Sequence, residues 1–308
     1  MPAPELQHNT FSMEPREFKL FRALIQQHTG IWLRDSKNIM LAARLSRRLR
    51  HLGLNGFAQY YEYIQHAHDK SAEIVQLINS VTTNKTSFFR EQHHFTYLAN
   101  QVVPEKMASA QHGGGKSIRI WSAACSTGEE PYSIAITLLE ALQCPATALD
   151  AEARIKRSQT PGLTLPAYSW RIEVVASDID TAVLATAQRA IYRRESLSSV
   201  PQPLWKKYFL RGMDDMQSQV KVKPEVARLV HFQRLNLMDA QWPLQGRFDV
   251  IFFRNALIYF NQQTQDTFLR KMACCLNPRG YLFLGNAEHI PWLHNIYEPL
   301  QQTMYRLR

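Results

Sequence analysis

One stretch of the chain, SIRIWSAACSTGEEPYSIAI at residues 117–136, constrains the fold more than any other. Its apolar residues predict a buried strand over Ser117–Ala123, and a turn of small residues follows and ends at Gly128. Two carboxylates and a proline then open a predicted helix over Tyr132–Leu142. Doubly wound α/β domains build nucleotide sites from this order of strand, turn and helix, at the carboxyl ends of parallel strands. The stretch therefore predicts such a sheet and a ligand with a nucleotide part.

The two carboxylates after the turn, Glu129 and Glu130, favour a cationic ligand. A single glycine is a weaker signal than a full G-x-G-x-x-G turn, and two carboxylates would repel a pyrophosphate. S-adenosylmethionine fits better, because it carries an ammonium and a sulfonium beside its adenosine and a carboxylate can pair with that ammonium. A second interpretation stays open: both acids can simply stabilise the helix amino terminus, with Pro131 in the first turn.

The length and composition predict a soluble globular protein. The 308 residues suffice for two domains or for one large domain with additions, and 45% of them are hydrophobic, which is ordinary for a folded chain. No apolar run approaches the roughly 20 residues that a membrane-spanning helix needs. The amino terminus lacks the basic-then-apolar order of a signal peptide. We therefore expect a cytoplasmic protein without an integral membrane segment.

The four cysteines predict neither a metal site nor a disulfide framework. They lie at Cys125, Cys144, Cys274 and Cys275, without C-x-x-C spacing or a histidine at zinc-ligand spacing. The formal net charge of +10 favours acidic partners, which include nucleic acid, membrane surfaces and acidic proteins. Charge alone does not choose among these partners.

Residues 14–79 predict an all-helical amino-terminal domain that docks the substrate. Apolar residues recur there at helical spacing, with breaks at glycines and around His66–Lys70, which is typical of four short helices. Arg44, Arg47 and Arg48 share one helix face by their i, i+3 and i+4 spacing. We predict that this basic face docks an acidic surface, and the alternative is an ordinary solvated helix face.

The remaining residues predict a linker and a sheet domain. A segment at residues 80–116, with a helix around Phe95–Met107, joins the helical module to an α/β domain over residues 117–308. Strands that alternate with helices indicate a mainly parallel sheet. An antiparallel insert is predicted at about 193–231, and the polar stretch Cys144–Trp170 is predicted to be a surface excursion. The predicted strands are Ser117–Ala123, Arg171–Ser177, His231–Arg234, Phe248–Arg254 and Tyr281–Gly285, and the predicted helices are Tyr132–Leu142, Ala182–Ala190 and Gln262–Leu276.

Polar residues follow the second and third predicted strands. Asp178 closes the second strand, where an acid in this type of fold accepts hydrogen bonds from ribose hydroxyls. Asp180 is a predicted amino-terminal cap of the next helix. Asn236 and Leu237 follow the third strand, where an amide and an apolar side chain can frame an adenine.

The segment FRNALIYF brings a second group of polar residues to the same edge of the sheet. Arg254 and Asn255 leave the fourth strand at its carboxyl end, and Tyr259 follows within about one helical turn. Their polar groups converge where the first strand delivers its carboxylates, which is how an active site is arranged. For Tyr259 the alternative is that the aromatic ring only packs.

Four sequence blocks together resemble one family. TTNKTSFFRE, WSAACSTGEEPYSIAI, ASDID and FFRNALIYF, in this order and spacing, resemble the chemotaxis receptor methyltransferases known as CheR, from Glu14 to the end of the chain. The resemblance implies an all-α amino-terminal domain and an α/β domain, which is a Rossmann-like S-adenosylmethionine-dependent methyltransferase sheet with a small antiparallel β subdomain. It also implies methyl transfer to glutamate side chains on the cytoplasmic helices of chemoreceptors. Glutamyl methyl esters for sensory adaptation and S-adenosylhomocysteine would be the products.

The resemblance assigns roles to ten residues of this chain. Arg90 and Tyr259 are the implied catalytic residues, which face the transferring methyl group and the incoming carboxylate. Glu130 takes the amino group of the cofactor and Asp178 takes its ribose. The implied cofactor-binding residues are Asn84, Thr86, Arg90, Glu130, Asp178, Asn236, Leu237, Arg254 and Asn255, and no metal is implied.

Two other functions are alternatives at this point. A methyltransferase that acts on nucleic acid would suit the charge of +10, but FRNALIYF stands where such enzymes carry an aromatic-proline motif such as N-P-P-Y. We therefore expect no nucleic-acid partner. A non-catalytic adaptor is disfavoured because Arg90, Glu130, Asp178 and Tyr259 are all present. In some members of the family the β subdomain grips a tethering peptide at a receptor's carboxyl terminus, and the resemblance permits this here.

Overall fold

Four helices form the amino-terminal part of the protein. The structure is a computed structural model that describes residues 11–113, 115–142 and 170–308. Apolar residues recur every three to four positions, so each helix turns one stripe toward a shared core that includes Phe21 and Leu45. This confirms the predicted all-helical amino-terminal part. The helices are α1 (Pro15–Thr29), α2 (Asn38–Leu52), α3 (Phe57–His66) and α4 (Lys70–Val81).

A seven-stranded sheet forms the core of the second part. In chain order the strands of the described residues are β1 (Ser117–Ala123), β2 (Arg171–Asp178), β3 (Ile191–Arg193), β4 (Phe209–Arg211), β5 (Gln219–Val222), β6 (Val230–Arg234), β7 (Phe248–Phe253), β8 (Leu276–Leu284), β9 (Tyr297–Pro299) and β10 (Met304–Leu307). The large sheet has the order β6-β2-β1-β7-β8-β10-β9. Its strands from β6 to β8 are parallel, whereas β10 and β9 are antiparallel. The predicted mainly parallel α/β sheet is confirmed.

Helices cover both faces of the large sheet. The helices of this part of the chain are α5 (His93–Tyr97), which continues through a π-helical turn at Leu98–Val102 into α6 (Val103–Gln111), then α7 (Glu129–Ala141), α8 (Thr181–Arg189), α9 (Gln202–Tyr208), α10 (Pro224–Ala227) and α11 (Gln262–Cys275). Of these, α9 and α10 are short helices between β3 and β6. Neighbouring strand residues point to opposite faces: Ile120 packs with Ile134 of α7, whereas Trp121 packs in the cluster that contains Phe268 of α11. Within the described ranges, no helix combines the length and apolar character needed to cross a membrane.

A second, smaller sheet is inserted between α8 and β6. Its order is β3-β5-β4 and its strands are antiparallel, which confirms the predicted antiparallel subdomain. The first of these strands begins at Ile191, two residues before the predicted start of the insert. The predicted excursion at 144–170, with Cys144, lies outside the described residues except for Trp170.

Most predicted strand and helix boundaries lie within one residue of the observed ones, but the structure differs from the prediction by more at the starts of one helix and one strand, and at the sheet edge. Helix α7 begins at Glu129 instead of Tyr132, because Gly128 caps it in the left-handed conformation with φ 95°. Strand β8 begins at Leu276 instead of Tyr281. The antiparallel pair β9 and β10 was not predicted, because strands of three or four residues are too short to show an alternating pattern.

Contacts between the two parts place the amino-terminal helices over the carboxyl ends of the parallel strands. Ile31 forms an antiparallel bridge with Phe260, which lies just after β7. Asn236, just after β6, donates a hydrogen bond from Nδ2 to the carbonyl of His28 at 2.7 Å. These contacts bring the end of α1 to the edge of the sheet where α/β proteins bind ligands.

Candidate active site

A cavity of about 500 Å³ lies between the amino-terminal helices and the carboxyl ends of the parallel strands. This volume is within the usual range for small-molecule sites. The structure brings all ten predicted site residues to the cavity wall, namely Asn84, Thr86, Arg90, Glu130, Asp178, Asn236, Leu237, Arg254, Asn255 and Tyr259. The residues come from the linker and from the ends of four strands, as their positions in the sequence predict.

The loop after β1 forms one side of the cavity in a strained backbone conformation. Ala124 and Ser126 have positive φ angles of 59° and 52°, which residues with a side chain rarely adopt. Two hydrogen bonds hold the loop: Cys125 N donates to the carbonyl of Ser177 at 2.9 Å, and Ser126 N donates to Asp178 Oδ2 at 2.8 Å. Such strain persists only where the surroundings fix it, and it concentrates at functional sites. The loop therefore presents a preformed surface to a ligand.

Asp178 is buried at the end of β2. Its Oδ1 accepts a hydrogen bond from Asp180 N at 3.0 Å, and its Oδ2 accepts the one from Ser126 N. Burial raises the pKa of Asp178 to about 6, although backbone hydrogen bonds oppose the rise. Asp180 accepts hydrogen bonds from two N–H groups in the first turn of α8, which confirms the predicted cap. Both neighbouring loops thus fix the position of the Asp178 carboxylate.

Arg254 is buried between two carboxylates. Its Nη2 lies 3.4 Å from Glu91 Oε2, and its Nε lies 3.6 Å from Glu130 Oε2. Ser122 Oγ donates to Glu130 Oε1 at 2.7 Å. Burial raises the pKa of Glu130, and the charge of Arg254 opposes the rise. In the described part of the chain, Nε and Nη1 of Arg254 have no hydrogen-bond partner, so this buried cation keeps donors for a ligand.

Glu91 was missed by the sequence reasoning, although it follows Arg90 directly. Its Oε1 accepts hydrogen bonds from Asn255 Nδ2 at 3.1 Å and from Asn286 N at 3.3 Å. Arg254 Nη2 also donates to the carbonyl of Arg90 at 2.5 Å. Glu91 and Arg254 therefore join the linker to the ends of β7 and β8.

Glu288 was also missed, and it holds the loop that carries Tyr259. Its Oε2 accepts hydrogen bonds from Gly285 N at 2.6 Å and from Asn255 N at 2.8 Å, and its Oε1 accepts one from Ile258 N at 3.4 Å. Asn255 has a positive φ of 58°, so the loop needs such support. The available signal was an acid just past the carboxyl end of a strand, where ligand sites form.

The two predicted catalytic residues reach the cavity from different segments. Arg90 is half-buried, and its Nη1 donates to the carbonyl of Lys85 at 2.9 Å within the linker. The carbonyl of Tyr259 accepts a hydrogen bond from Trp32 N at 2.8 Å. Tyr259 therefore lies where the amino-terminal helices meet the sheet domain.

Two predicted cofactor-binding amides make hydrogen bonds within the protein. Asn236 donates to the carbonyl of His28, and its Oδ1 accepts a hydrogen bond from Met238 N at 3.0 Å. Asn84 Nδ2 donates to Asp180 Oδ2 at 2.8 Å. Both residues line the cavity, and these bonds show that they also join segments of the protein and shape its wall.

The structure corrects the predicted docking face on α2. Arg48 pairs with the buried carboxylate of Glu73, with Nε 3.0 Å from Oε1 and Nη2 2.5 Å from Oε2. Arg44 donates hydrogen bonds to backbone carbonyls at the end of α4. Of the three predicted arginines, only Arg47 is exposed. Helical spacing places all three on one face, but partners distant in sequence bind two of them.

The amino-terminal part forms a wall of the cavity that the sequence reasoning did not predict. Its lining residues there are Thr29, Ile31, Trp32, Leu33, Arg34, Lys37, Met40 and Arg44. No local spacing in this segment signals a site, because its residues reach the cavity only through the packing of α1 and α2 on the sheet domain.

The sequence was compared with known proteins. Residues 16–82 match the CheR methyltransferase all-alpha domain, and residues 84–155 and 163–306 match the CheR methyltransferase SAM-binding domain, where SAM is S-adenosylmethionine. The chain belongs to the CheR methyltransferase family. This CheR chain is 38% identical to chemotaxis protein methyltransferase 2 of Pseudomonas aeruginosa, over 99% of this chain and 97% of the relative. It is 40% identical to the chemotaxis protein methyltransferase of Salmonella typhimurium, over 96% of this chain and 91% of the relative.

The assignment rests on these sequence matches. A solved complex of DhpI with S-adenosylhomocysteine is structurally similar to the CheR chain only distantly, with 14% identity, a TM-score of 0.31 and coverage of 69% of this chain and 72% of the other.

The cavity of this CheR chain fits SAM. Glu130 and Asp178 are the acids among the described residues that line it, and burial raises the pKa of both carboxyl groups. A ligand ammonium beside a buried carboxylate would offset part of its lost hydration. The carboxylate oxygens can also accept hydrogen bonds from hydroxyl groups, as a ribose requires. Arg254 has buried donors left over for an anionic group of the ligand.

Proposed function

We propose that this CheR chain transfers a methyl group from SAM to glutamate side chains of chemoreceptors, which forms glutamyl methyl esters for sensory adaptation. The observation that carries the proposal is one cavity in which the buried acid Asp178 and the partly buried acid Glu130 lie with Arg90 and Tyr259 at the junction of the two parts of the chain. The names of the relatives, chemotaxis protein methyltransferases, support a receptor substrate.

In this proposal the floor of the cavity holds SAM. Glu130 pairs with its ammonium, Asp178 accepts hydrogen bonds from its ribose, and Arg254 offers its free donors to its carboxylate. The remaining cofactor contacts are assigned to Asn84, Thr86, Arg90, Asn236, Leu237 and Asn255. When bound, SAM supplies an electrophilic methyl group whose transfer leaves neutral S-adenosylhomocysteine.

The acceptor needs no general base. A glutamate side chain has an ordinary pKa of about 4.3, so it is already an anion at neutral pH. In the transfer, the carboxylate oxygen would form a bond to the methyl carbon, and the electron pair of the broken carbon–sulfur bond would remain on sulfur. The protein accelerates this step by alignment of the three atoms and by exclusion of water, because a hydrated carboxylate is a poor nucleophile.

Arg90 and Tyr259 orient the acceptor. The guanidinium of Arg90 can hold a carboxylate through two N–H groups, and we assign it orientation without proton transfer. Too tight an ion pair would weaken the nucleophile, and the bond from Arg90 Nη1 to the carbonyl of Lys85 already uses part of its donor capacity. Tyr259 holds the second carboxylate oxygen or packs against the methyl group.

The acceptor helix docks on the amino-terminal part in this proposal. The exposed residue of the predicted basic face is Arg47, and Arg34 and Lys37 are exposed at the rim of the cavity. Trp32 and Ile258 also line the cavity and are 44% and 57% exposed. Basic groups around exposed apolar side chains suit a helix that carries both glutamates and apolar residues.

Each part of the chain has its own role in this proposal. Residues 14–79 dock the substrate, residues 80–116 contribute to the cofactor site, and residues 117–308 form the methyltransferase domain, with the β subdomain at about 193–231. Strand β4 is an edge strand of that subdomain and could pair with an extended receptor tail peptide. We place the protein in the cytoplasm, where the methylated receptor helices lie.

A labelling experiment tests the substrate. The protein is incubated with SAM that carries a tritiated methyl group and with either chemoreceptor-containing membranes or RNA. We expect label on the receptor that mild base releases as methanol, since esters hydrolyse in base, and no label on RNA. Arg90→Ala serves as the control with strongly reduced activity. Receptor that stays unlabelled by a protein that still binds S-adenosylhomocysteine would refute the proposal.

A charge reversal tests the docking surface. Arg47→Glu should slow receptor methylation at low salt and lose most of this effect at high salt, because exposed charges are screened over about 8 Å at physiological ionic strength. Lys116→Glu is the matched control, since Lys116 is exposed and precedes β1 at the opposite end of the sheet. Equal methylation by the two variants at low salt would contradict this docking surface.

A further inference from the structure

The guanidinium of Arg44 is bound to the point where α4 ends and the linker begins. Its Nη1 donates to the carbonyls of Val81 and Thr82, the second at 3.1 Å, and its Nη2 donates to Thr83 Oγ1 at 2.8 Å. The last carbonyls of a helix lack partners within the helix and carry partial negative charge. Arg44 therefore closes the end of α4 and holds the first residues of the linker against α2.

The same linker residues are bound on their other side to the first turn of α8. Thr82 Oγ1 and Asn84 Nδ2 donate to Asp180 Oδ2 at 2.6 Å and 2.8 Å. Asn79 makes two bonds to Thr181: its Nδ2 donates to Thr181 Oγ1 at 3.0 Å, and its Oδ1 accepts from Thr181 N at 3.2 Å. The carboxyl end of α4 and the amino end of α8 thus meet through the linker.

These contacts continue directly into the cofactor site. Asp180 N donates to Asp178, the acid that we assign to the ribose, and Ser126 Oγ donates to the carbonyl of Asn84 at 3.1 Å. Arg44, Asn84, Ser126 and Asp178 all line the cavity. The linker is therefore held between an arginine of the amino-terminal helices and an aspartate of the sheet domain, and it forms part of the wall.

We infer that Arg44 is a positioning residue for the cofactor site: with Asp180 it clamps linker residues 82–84 in the shape that SAM and S-adenosylhomocysteine require. Through this clamp the amino-terminal helices contribute to cofactor affinity even when no receptor is present. The inference rests on the SAM site of the family and is independent of which acceptor is methylated. It gives Arg44 a different role from that of an exposed docking residue.

Titration with S-adenosylhomocysteine, without receptor, tests the inference. Only part of the free energy of a hydrogen bond to a charged group is transmitted to the bound ligand, so Arg44→Ala should weaken binding about tenfold. Arg44→Lys keeps the charge but loses the forked geometry. We expect the logarithm of its affinity for S-adenosylhomocysteine to lie about halfway between those of Arg44→Ala and the wild type. Arg50→Ala is the matched control, because Arg50 is exposed on the same helix, and its affinity should equal that of the wild type.

A second variant and a kinetic measurement exclude a general loss of folding. Thr82→Val keeps the shape of the side chain and removes its bond to Asp180, so it should weaken binding about fivefold without involving Arg44. For both variants the KM for SAM should rise while kcat at saturating SAM is kept, because neither side chain touches the reacting atoms. Thermal unfolding identifies any variant that is not folded at the temperature of the titration.

The binding measurements decide whether the clamp contributes to cofactor affinity. Weakened binding in Arg44→Ala and Thr82→Val, partly restored in Arg44→Lys, supports the clamp. Binding of both variants within about twofold of the wild type would overturn it, and a loss of receptor methylation alone in Arg44→Ala would make Arg44 a partner contact. Failure of the wild type to label receptor would refute the glutamate proposal and leave this result unaffected.

Discussion

The pKa of Asp178 predicts how cofactor affinity depends on pH. Burial raises this pKa from its ordinary value of 3.8 to about 6, and the ionised carboxylate is the form that accepts hydrogen bonds from two ribose hydroxyls. With a pKa of about 6, the ionised fraction falls about tenfold between pH 7 and pH 5. The affinity for S-adenosylhomocysteine should fall by the same factor. With an ordinary pKa it would hardly change over this range.

Asp178→Asn separates this group from other titrating residues. The variant lacks the charge, so it should bind S-adenosylhomocysteine about 10–100-fold more weakly at pH 7, as expected for the loss of a charge-assisted hydrogen bond. Its affinity should then be nearly constant from pH 7 to pH 5. Any slope that persists belongs to another group, such as Glu130, whose pKa burial also raises. Isothermal titration at four pH values measures both proteins.

The raised pKa of Asp178 also predicts an effect on the stability of the ligand-free protein. Above pH 3.8 the unfolded chain loses the Asp178 proton, whereas the folded protein keeps it until about pH 6. The contribution of Asp178 to the free energy of unfolding is therefore fully present below pH 3.8. It is lost as the pH rises through 6, and the free energy of unfolding falls by about 3 kcal/mol. The free energy of unfolding of Asp178→Asn should rise relative to the wild type by up to this amount between pH 4 and pH 7.

Two results would refute this reasoning. The first is a wild-type affinity that stays constant from pH 7 to pH 5, which would mean that Asp178 is fully ionised throughout or does not bind the ligand. The second is an Asp178→Asn variant with the full pH dependence of the wild type. Denaturant titration at each pH provides the check on stability.

Three further predictions concern the catalytic loop and the fold. Arg90→Ala should lower kcat about 100-fold and change the affinity for S-adenosylhomocysteine much less, because Arg90 orients the acceptor; equal losses in methyl-transfer and titration assays would contradict this role. Glu288→Gln should destabilise the protein by about 1–3 kcal/mol and lower kcat, since three backbone N–H groups donate to this carboxylate; an unchanged Tm and kcat would count against it. Gly128→Ala should lower the Tm more than Gly53→Ala. Both glycines have positive φ, but a Cβ at 128 would lie 2.8 Å from the Cβ of Ala187, whereas at 53 it meets nothing within 4 Å.

Much of the sheet domain could be predicted because its signals are local. The apolar residues within Ser117–Ala123 are enough to indicate a buried strand, and the observed strand has the same bounds. Residues that follow parallel strands must come together at one edge, so Asp178 and Arg254 could be assigned to one cavity without knowledge of their contacts. The short antiparallel pair at the sheet edge lacked such a signal.

The sequence by itself determined the family, the alternating strands and helices of the parallel sheet, and ten of the residues that lie around the cavity. Only the tertiary structure decided what each charged group does there. Arg48 binds Glu73 from another helix, Arg44 binds the end of α4, and Glu288 holds a loop 30 residues before it. The regular repeat of side-chain directions along a strand or a helix shows which face a side chain occupies. Its hydrogen-bond partner depends on how distant segments pack, and no local spacing encodes that.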